Sequence, residues 1–371
     1  MSTITRNSFI TQDVMNYVTD NILPSLVDTF TRSNVIFQVL MERRVPWIGK
    51  NKIINFKYKQ INNGGWFRGF DKLNTNTTDT TAQLQFNPTF FTQPIVFANT
   101  DLAVSDNKFA VLDYMRVRTV EVQQEMADKL GNSMYGANTL TSDKIMLGLK
   151  DLIDDGTNVA NYGGQVRSSY LETNVYRIGT PTQIWGNLDS AGGALTLARL
   201  EAMWRAVTSW VYRPNLIITT KNLKYRIQTL SPTTNQFVTV PATGSPDRPL
   251  FDTSMGRGLV AQAGFTDVYF KGIPVIEDEK CPEGELYMLN TDTFELALFT
   301  TLPDSTPIMM ASAPIEGQYD KNFNLKDTGF HRSPTLMPYD QYGAITHLFF
   351  AGQMYCIQPK YNGFFTWLTA S

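Results

Sequence analysis

Charge is scarce in this sequence. Of its 371 residues only 18% are Asp, Glu, Lys or Arg, against about 25% in ordinary soluble domains. Aromatic residues, Asn, Gln, Ser and Thr take their place. Charged residues are depleted from the cores of protein interfaces, so this balance suits a chain whose surface is mostly covered by other protein. Basic excess is missing too: 32 Lys and Arg stand against 34 Asp and Glu, a net charge of −2. That argues against a nucleic-acid coat held by its own positive charge. Two cysteines, Cys281 and Cys356, exclude a disulfide framework and a zinc spacing; they read as buried thiols in a reducing compartment. No run approaches the roughly 20 apolar residues of a membrane span. The start, MSTITRNSFI, lacks the pattern of a signal peptide. The chain is expected to be soluble, not secreted, and made in a cytoplasm.

Catalytic chemistry is also thin. There are two histidines, His331 and His347, and neither has a cysteine at ligand spacing, which disfavours zinc. His347 sits in the strand-like ITHLFF and reads as a packed or edge histidine; His331 reads as a loop residue. No G-x-S-x-G elbow, P-loop or dinucleotide fingerprint is present. The pair Asp154-Asp155 reads as the end of a helix rather than a general acid/base pair. We expect no enzyme, no catalytic residue, no cofactor and no metal.

What is present is organised around the stretch from Asp106 to Gly136. Leu112, Met115, Val122, Met126 and Leu130, with Thr119 between them, fall at three- and four-residue steps, one stripe of a helix. Asp106 is a candidate N-cap and Gly136 a candidate stop. At about 1.5 Å per residue such a helix is about 40 Å long. Nearly everything around it reads as strand and loop.

Before it, Thr11 to Phe30 reads as a short amphipathic helix interrupted by Pro24, part of a terminal arm that docks on something larger. Lys52 to Ile61 alternates, with Ile54, Phe56 and Tyr58 on one face and Asn55, Lys57 and Lys59 on the other, the pattern of a half-buried strand. Ala82 to Phe97 resumes extended character after the polar stretch Asn62 to Thr81. The two make a hairpin, and because a lone two-stranded ribbon is marginal in water it should lie on another surface. Its tip carries Trp66, Phe67 and Phe70 beside Arg68 and Lys72, aromatic and basic residues typical of interface anchors. With Arg43 and Arg44 these are the candidate subunit-interface residues. Folding of the hairpin back on its own core is the alternative. The region is basic, and the run Glu277, Asp278, Glu279, Glu283, Glu285 is a candidate complement on a neighbouring copy, or a solvated loop.

After the long helix, Ser142 to Leu152 reads as a second helix. Thr196 to about Val211 reads as a third, burying Leu200, Met203, Trp204, Val207 and Val211. Leu216 to Ile218 reads as a buried strand and Leu223 to Leu230 as a helix, together an α/β unit. Ser231 to Gly258 is a loop longer than compact domains commonly hold. Asp267 to Phe299 is strand-rich, Thr300 to Pro338 irregular, and Ala344 to Ile357 and Phe364 to Leu368 are closing apolar strands.

Three stretches, VYRPNLIITTKNLKYRIQTL, GFTDVYFKGIPVIEDEKCPEGELYMLNTDTFEL and AITHLFFAGQMYCIQP, together with this order of elements, resemble the major capsid proteins of tailed bacteriophages with the Hong Kong 97 fold. The resemblance implies an α+β chain: an N-terminal arm (1–44), an extended β-hairpin loop (45–99), a peripheral domain with the spine helix (100–157), an axial α/β domain (158–300) and a return to the peripheral domain with closing strands (301–371). It implies a structural protein that self-assembles as hexamers and pentamers into an icosahedral shell around double-stranded DNA, without sequence-specific binding to it and without a membrane. The localisation implied is the virion, assembled in the host cytoplasm. Only Met1 to Arg44 precedes the hairpin, so a separate scaffolding protein is implied, with a portal and a possible decoration protein. Some members cross-link subunits through a Lys in the extended loop, an Asn and a Glu; Lys72 is at the tip, but neither partner is matched and no cross-link is assigned. The alternatives are the shell of a bacterial nanocompartment, which shares the architecture, and a β-rich glycan-binding or hydrolase module. The shell reading expects the apolar surface of arm and hairpin to be covered by sister molecules.

Overall fold

The structure, a computed structural model, describes residues 34–41, 43–58, 65–72, 79–98, 108–140, 142, 144–169, 184–230, 268–303, 305–307, 329–335 and 343–369. The expected helix Thr11–Phe30, the N-cap Asp106 and the loop Ser231–Gly258 lie outside them. The described elements in chain order are α1 (Val35–Met41), β1 (Arg44–Pro46), β2 (Lys52–Lys57), β3 (Thr81–Phe86), β4 (Thr89–Ala98), α2 (Lys108–Tyr135), α3 (Leu149–Ile153), β5 (Asn161–Tyr162), β6 (Gln165–Val166), β7 (Asn187–Asp189), β8 (Gly193–Ala194), α4 (Leu197–Val207), β9 (Leu216–Thr219) and α5 (Lys221–Thr229). They continue with β10 (Val268–Phe270), β11 (Ile273–Glu277), β12 (Leu286–Leu289), β13 (Phe294–Leu298), β14 (Thr306–Pro307), β15 (Phe330–Arg332), β16 (Gly343–Cys356), β17 (Gly363–Phe365) and β18 (Leu368–Thr369). They divide into two compact units: one from the described residues up to Ile48 with Pro88–Leu147 and Glu295–Met354, the other from Gly49–Asn87, Gly148–Phe294 and the residues from Tyr355 on.

The first unit is a sheet with the long helix on it. Its strands run β1-β13-β16-β15-β14, and β4 also pairs with β16, antiparallel from Gly343↔Ala98 to Gly352↔Thr89. Pro94 lies in β4, which pairs with no other described strand, and an edge tolerates a residue that cannot donate to a ladder. Helix α2 buries Met115, Thr119, Val122, Met126 and Leu130, the stripe that its periodicity predicts. Thr119 sits in that apolar stripe because its hydroxyl donates to the Met115 carbonyl at 2.8 Å. The opposite face is charged, with Arg118–Glu121 and Glu125–Lys129 pairs about half exposed and so of small energetic weight. Gln93 of β4 donates to Glu125 at 3.0 Å and holds helix to sheet.

Helix α1 corrects one expectation. Residues 35–41 were assigned to the arm, yet Ile36, Phe37, Val39, Leu40 and Met41 are buried, and Phe37 meets Phe330 and Phe350 edge-on at 6.1 and 6.3 Å. A seven-residue segment, VIFQVLM, that is apolar nearly all round has no solvent face to offer, so it joins the core.

The second unit holds a mixed sheet in the order β10-β11-β9-β12-β17-β7. Leu200, Met203 and Val207 of α4 and Leu223 and Ile227 of α5 pack with sheet residues including Ile217, Val275 and Met288 in one core. The Thr196 hydroxyl caps α4 by accepting from the Arg199 amide. This helix ends at Val207, not at Val211, and Val211 is exposed; the chain turns at Ser209 instead. The helix expected from Ser142 is also shorter. It starts at Leu149, because the Leu147 amide is taken by the Gln353 side chain at 2.9 Å and the Gly148 amide by Asp151 at 3.0 Å. Among the described residues no helix is long and apolar enough to cross a membrane.

Two measurements check this packing. Met126→Ala should lower the unfolding free energy of the unassembled chain by about 2–5 kcal/mol, and Val117→Ala on the exposed side of α2 by no more than about 0.5 kcal/mol, both read by urea denaturation. His331 is buried in β15, its Nε2 donates to the Phe299 carbonyl at 3.0 Å, and burial holds its pKa below the ordinary value. Above a pH of about 6.5 the ring is neutral in folded and unfolded chain alike. As the pH falls through that value the unfolded chain takes up a proton that the folded chain resists, so stability drops until the folded pKa is passed. His331→Gln should therefore flatten the fall in stability between about pH 7 and pH 5.

Candidate subunit interface

The hairpin begins from a strand pair whose register runs from Lys52↔Phe86 to Lys57↔Thr81. Phe56, Leu84 and Phe86 on one face are buried, while Asn55, Lys57 and Gln85 are exposed. That face is covered by the unit that carries it. Phe56 lies 5.6 Å from Trp185, and Phe86 lies 5.2 Å from Tyr162 and stacks at 5.4 Å on Tyr355. The Gln85 amide donates to the Gly163 carbonyl at 2.9 Å, and Gln165 donates to the Gln83 carbonyl at 3.0 Å. Gly163, at φ +56°, comes so near the strand that a Cβ would stand 2.8 Å from the Leu84 Cβ, so β3 and the β5–β6 turn touch backbone to side chain. The expectation that sister molecules cover the ribbon's apolar face is thus corrected for its base, which the chain covers itself.

Beneath the base lies a buried ion pair. Arg167 is fully buried, 3.4 Å from Asp154 and with its guanidinium 5.2 and 5.7 Å from the ring centres of Tyr162 and Trp185. Its pKa is lowered by burial, an effect opposed by Asp154. Asp154 also accepts from the amides of Gly156, Asn158 and Val159. It is therefore a structural carboxylate that ends α3, as the sequence suggests, with Oδ2 taken up by backbone amides and Arg167.

The tip behaves differently. Trp66 is 106% exposed, Phe67 66% and Phe70 107%, and Arg68 and Lys72 are exposed beside them. The stretch is shaped by a turn in which the Arg68 amide donates to Asp71 at 2.8 Å and the Asp71 amide returns to the Arg68 carbonyl at 3.4 Å. Three large aromatics in full solvent within five residues form an apolar patch that wants a cover. Arg43 and Arg44, in the other unit, are half-buried, and Arg44 of β1 stands opposite Leu296.

The acidic run is not a free complement to this basic hairpin. Glu285 is buried, paired with Lys150 at 2.5 Å and accepting from Tyr287 at 2.6 Å; Asp278 is buried; Glu277 lies 3.6 Å from Lys224. Only Glu279 and Glu283 are exposed. Both cysteines are buried, and burial raises their thiols, Cys356 to about 12. Among the described residues no cluster of three His, Cys, Asp or Glu could hold a metal. Among the exposed aromatics that escaped the sequence reading are Trp210, beyond the true end of α4, and Trp367, inside what reads as a closing apolar strand.

No protein-family model matches the chain, and no curated protein matches it by sequence. Solved structures do. The chain is similar to the Cyanophage A-1(L) capsid protein, with 17% identity and a TM-score of 0.62 over 91% of this chain and 93% of that one. It is similar to the SrpI encapsulin of Synechococcus elongatus, with 10% identity and a TM-score of 0.50 over 90% and 88%. It is also similar to the capsid protein of a native GTA particle, with 9% identity and a TM-score of 0.51 over 90% and 91%. The fold is therefore that of capsid-shell proteins, mixed α and β with few helices and many strands, as the resemblance implied.

Two outcomes follow from the buried groups. Arg167→Leu leaves the Asp154 charge without its partner and should cost about 3–5 kcal/mol in urea denaturation. A thiol reagent at neutral pH should label neither Cys281 nor Cys356 until the chain is unfolded.

Proposed function

We propose that this chain is the major capsid protein of a tailed phage, assembling as hexamers and pentamers into an icosahedral shell around double-stranded DNA, and so a resident of the virion. The observation that carries the reading is the pairing of a capsid-shell fold with an uncovered aromatic tip. The cyanophage capsid likeness spans nearly the whole of both chains. A chain that covers the base of its hairpin and leaves Trp66, Phe67 and Phe70 bare fits a loop that reaches a sister subunit. In this reading the hairpin is the extended loop, α2 the spine of a peripheral domain, and the α4–β9–α5 unit the axial domain. The work is assembly: many modest contacts, repeated, give a shell more stable than any one of them. A net charge of −2 limits repulsion between copies and adhesion to the enclosed DNA. A scaffolding protein, a portal and a decoration protein are the partners this role calls for. A structural role is favoured over a glycan-binding or hydrolase module because the fold likenesses are to shells.

The second reading, a nanocompartment shell, is supported by the encapsulin likeness. Particles purified from the native source separate the two: packaged DNA supports the capsid, and a packaged enzyme supports the compartment. For either reading, replacing Trp66, Phe67 and Phe70 together with Ala should leave circular dichroism unchanged and abolish closed particles in negative-stain electron microscopy. Normal particles from that variant would refute the tip as an interface.

A further inference from the structure

The unit that bears the hairpin carries two more exposed aromatic knobs, at opposite ends of one helix. At the C-terminal end of α4 the Thr208 amide closes the helix on the Trp204 carbonyl at 3.0 Å, and the chain makes a tight turn. The Ser209 amide donates to the Tyr212 carbonyl at 2.8 Å, and the Tyr212 amide donates to Ser209 Oγ at 3.1 Å. Tyr212 stacks on Tyr361 at 4.4 Å, which pins the turn. Trp210 at its apex is 98% exposed and Val211 75%, and Arg213 follows them, exposed.

At the other end, the Gly193 amide donates to the Trp367 carbonyl at 3.0 Å and the Leu195 amide to the Thr369 carbonyl at 3.4 Å, tying β18 to the residues just before α4. Trp367 stands between buried Phe365 and Leu368, yet it is 77% exposed and its φ is 60°. That left-handed conformation is strained for a residue with a side chain. The Leu368 amide donates to the Gly284 carbonyl at 2.9 Å, which sets the tryptophan beside the turn that carries exposed Glu279 and Glu283, with Lys280 half-buried between them. Gly284 is required at this crossing: its φ is +78°, and a Cβ would stand 2.9 Å from the Leu368 carbonyl oxygen.

A strained tryptophan held in solvent does no packing for the chain that carries it. The two knobs also differ in sign, since Trp210 accompanies Arg213 and Trp367 accompanies Glu279 and Glu283. Helix α4 has 11 residues, so about 16 Å of helix separates them at about 1.5 Å per residue. Complementary patches at opposite ends of one helix suit a head-to-tail contact, which makes a ring when its rotation closes, rather than a two-fold one in which like meets like. We infer that the Trp210–Arg213 turn of one copy seats against the Trp367–Glu283 patch of the next copy in a ring. This rests on the shell reading and names the two faces of this unit that meet in it.

The native thiols are buried, so introduced surface cysteines can be cross-linked selectively. Val211→Cys and Thr369→Cys, exposed positions beside the two knobs, co-expressed on separate chains and oxidised, should give a covalent dimer, and neither variant alone should. The chain carrying both changes should give a ladder running past the dimer on non-reducing gels. A cross-link within either single variant, or no ladder from the double variant with unchanged circular dichroism, overturns the contact. Adding Arg213→Glu to the double variant should cut the ladder about tenfold; an undiminished ladder overturns the charge pairing. Particles of the unaltered chain are scored separately by electron microscopy. Shells without a ladder sink this contact and leave the shell reading; a ladder without shells does the reverse.

Discussion

The projecting tip depends on a charge buried beneath it. Arg167 has no exposure to water, and a guanidinium in that position is tolerable only if its charge is answered and its faces are covered; among the described residues its Nε alone finds no acceptor. Asp154 answers the charge, the Val159 and Asp151 carbonyls accept its protons, and Tyr162 and Trp185 cover its faces. Those same two rings are the ones that Phe86 and Phe56 of the hairpin rest on. A two-stranded ribbon has little stability of its own. Clamped at the base to a rigid aromatic floor, it can hold its far end away from the body without that end having to pack on anything.

The division between a covered base and a bare tip limits the apolar surface that the hairpin exposes. Were the whole ribbon bare, the monomer would expose a long apolar strand edge and face, a hazard for aggregation before assembly. Covering the strands internally confines the bare aromatics among the described residues of the β2–β3 hairpin to its tip. The same economy shows in α1, whose apolar residues are placed in the core of the other unit, and in the acidic turn, where Glu285 and Asp278 are consumed internally while Glu279 and Glu283 face solvent. Low charge content is in keeping with the proposed shell role, because every charge left on surface buried between copies carries a desolvation cost.

Much of this was legible in the amino-acid order. The stripe Met115, Thr119, Val122, Met126, Leu130 reads as one face of a helix and is buried as one. The alternation of Ile54 and Phe56 against Asn55 and Lys57 assigns the hairpin's two faces. Pattern is informative there because the period of the element and the period of burial coincide. It failed where local sequence and burial part company. Val211 keeps helical spacing with Val207, yet the helix has already ended and the chain has turned. Trp367 lies among Phe364, Phe365 and Leu368, and only a left-handed backbone angle sends it outward. The helix expected from Ser142 lost its first turns to side-chain acceptors, Gln353 and Asp151, one of which is far away in the chain.

By itself, the sequence determined which segments are amphipathic, where the long helix and the hairpin run, that metal and redox chemistry have no ligand spacing to rest on, and that the tip is aromatic and basic. These follow from periodicity and residue type, which are local. Tertiary structure alone decided which apolar faces the chain keeps for itself. Phe56 and Trp66 are both large aromatics of one hairpin, ten residues apart in number, and their neighbours place one on a strand face and the other at the tip without saying what covers either. Phe56 is buried because Trp185, from a distant part of the chain, arrives beside it, while Trp66 stays exposed. Burial is a property of what comes near in space, and an interface between copies is made of the apolar surface that the chain's own fold leaves unmet.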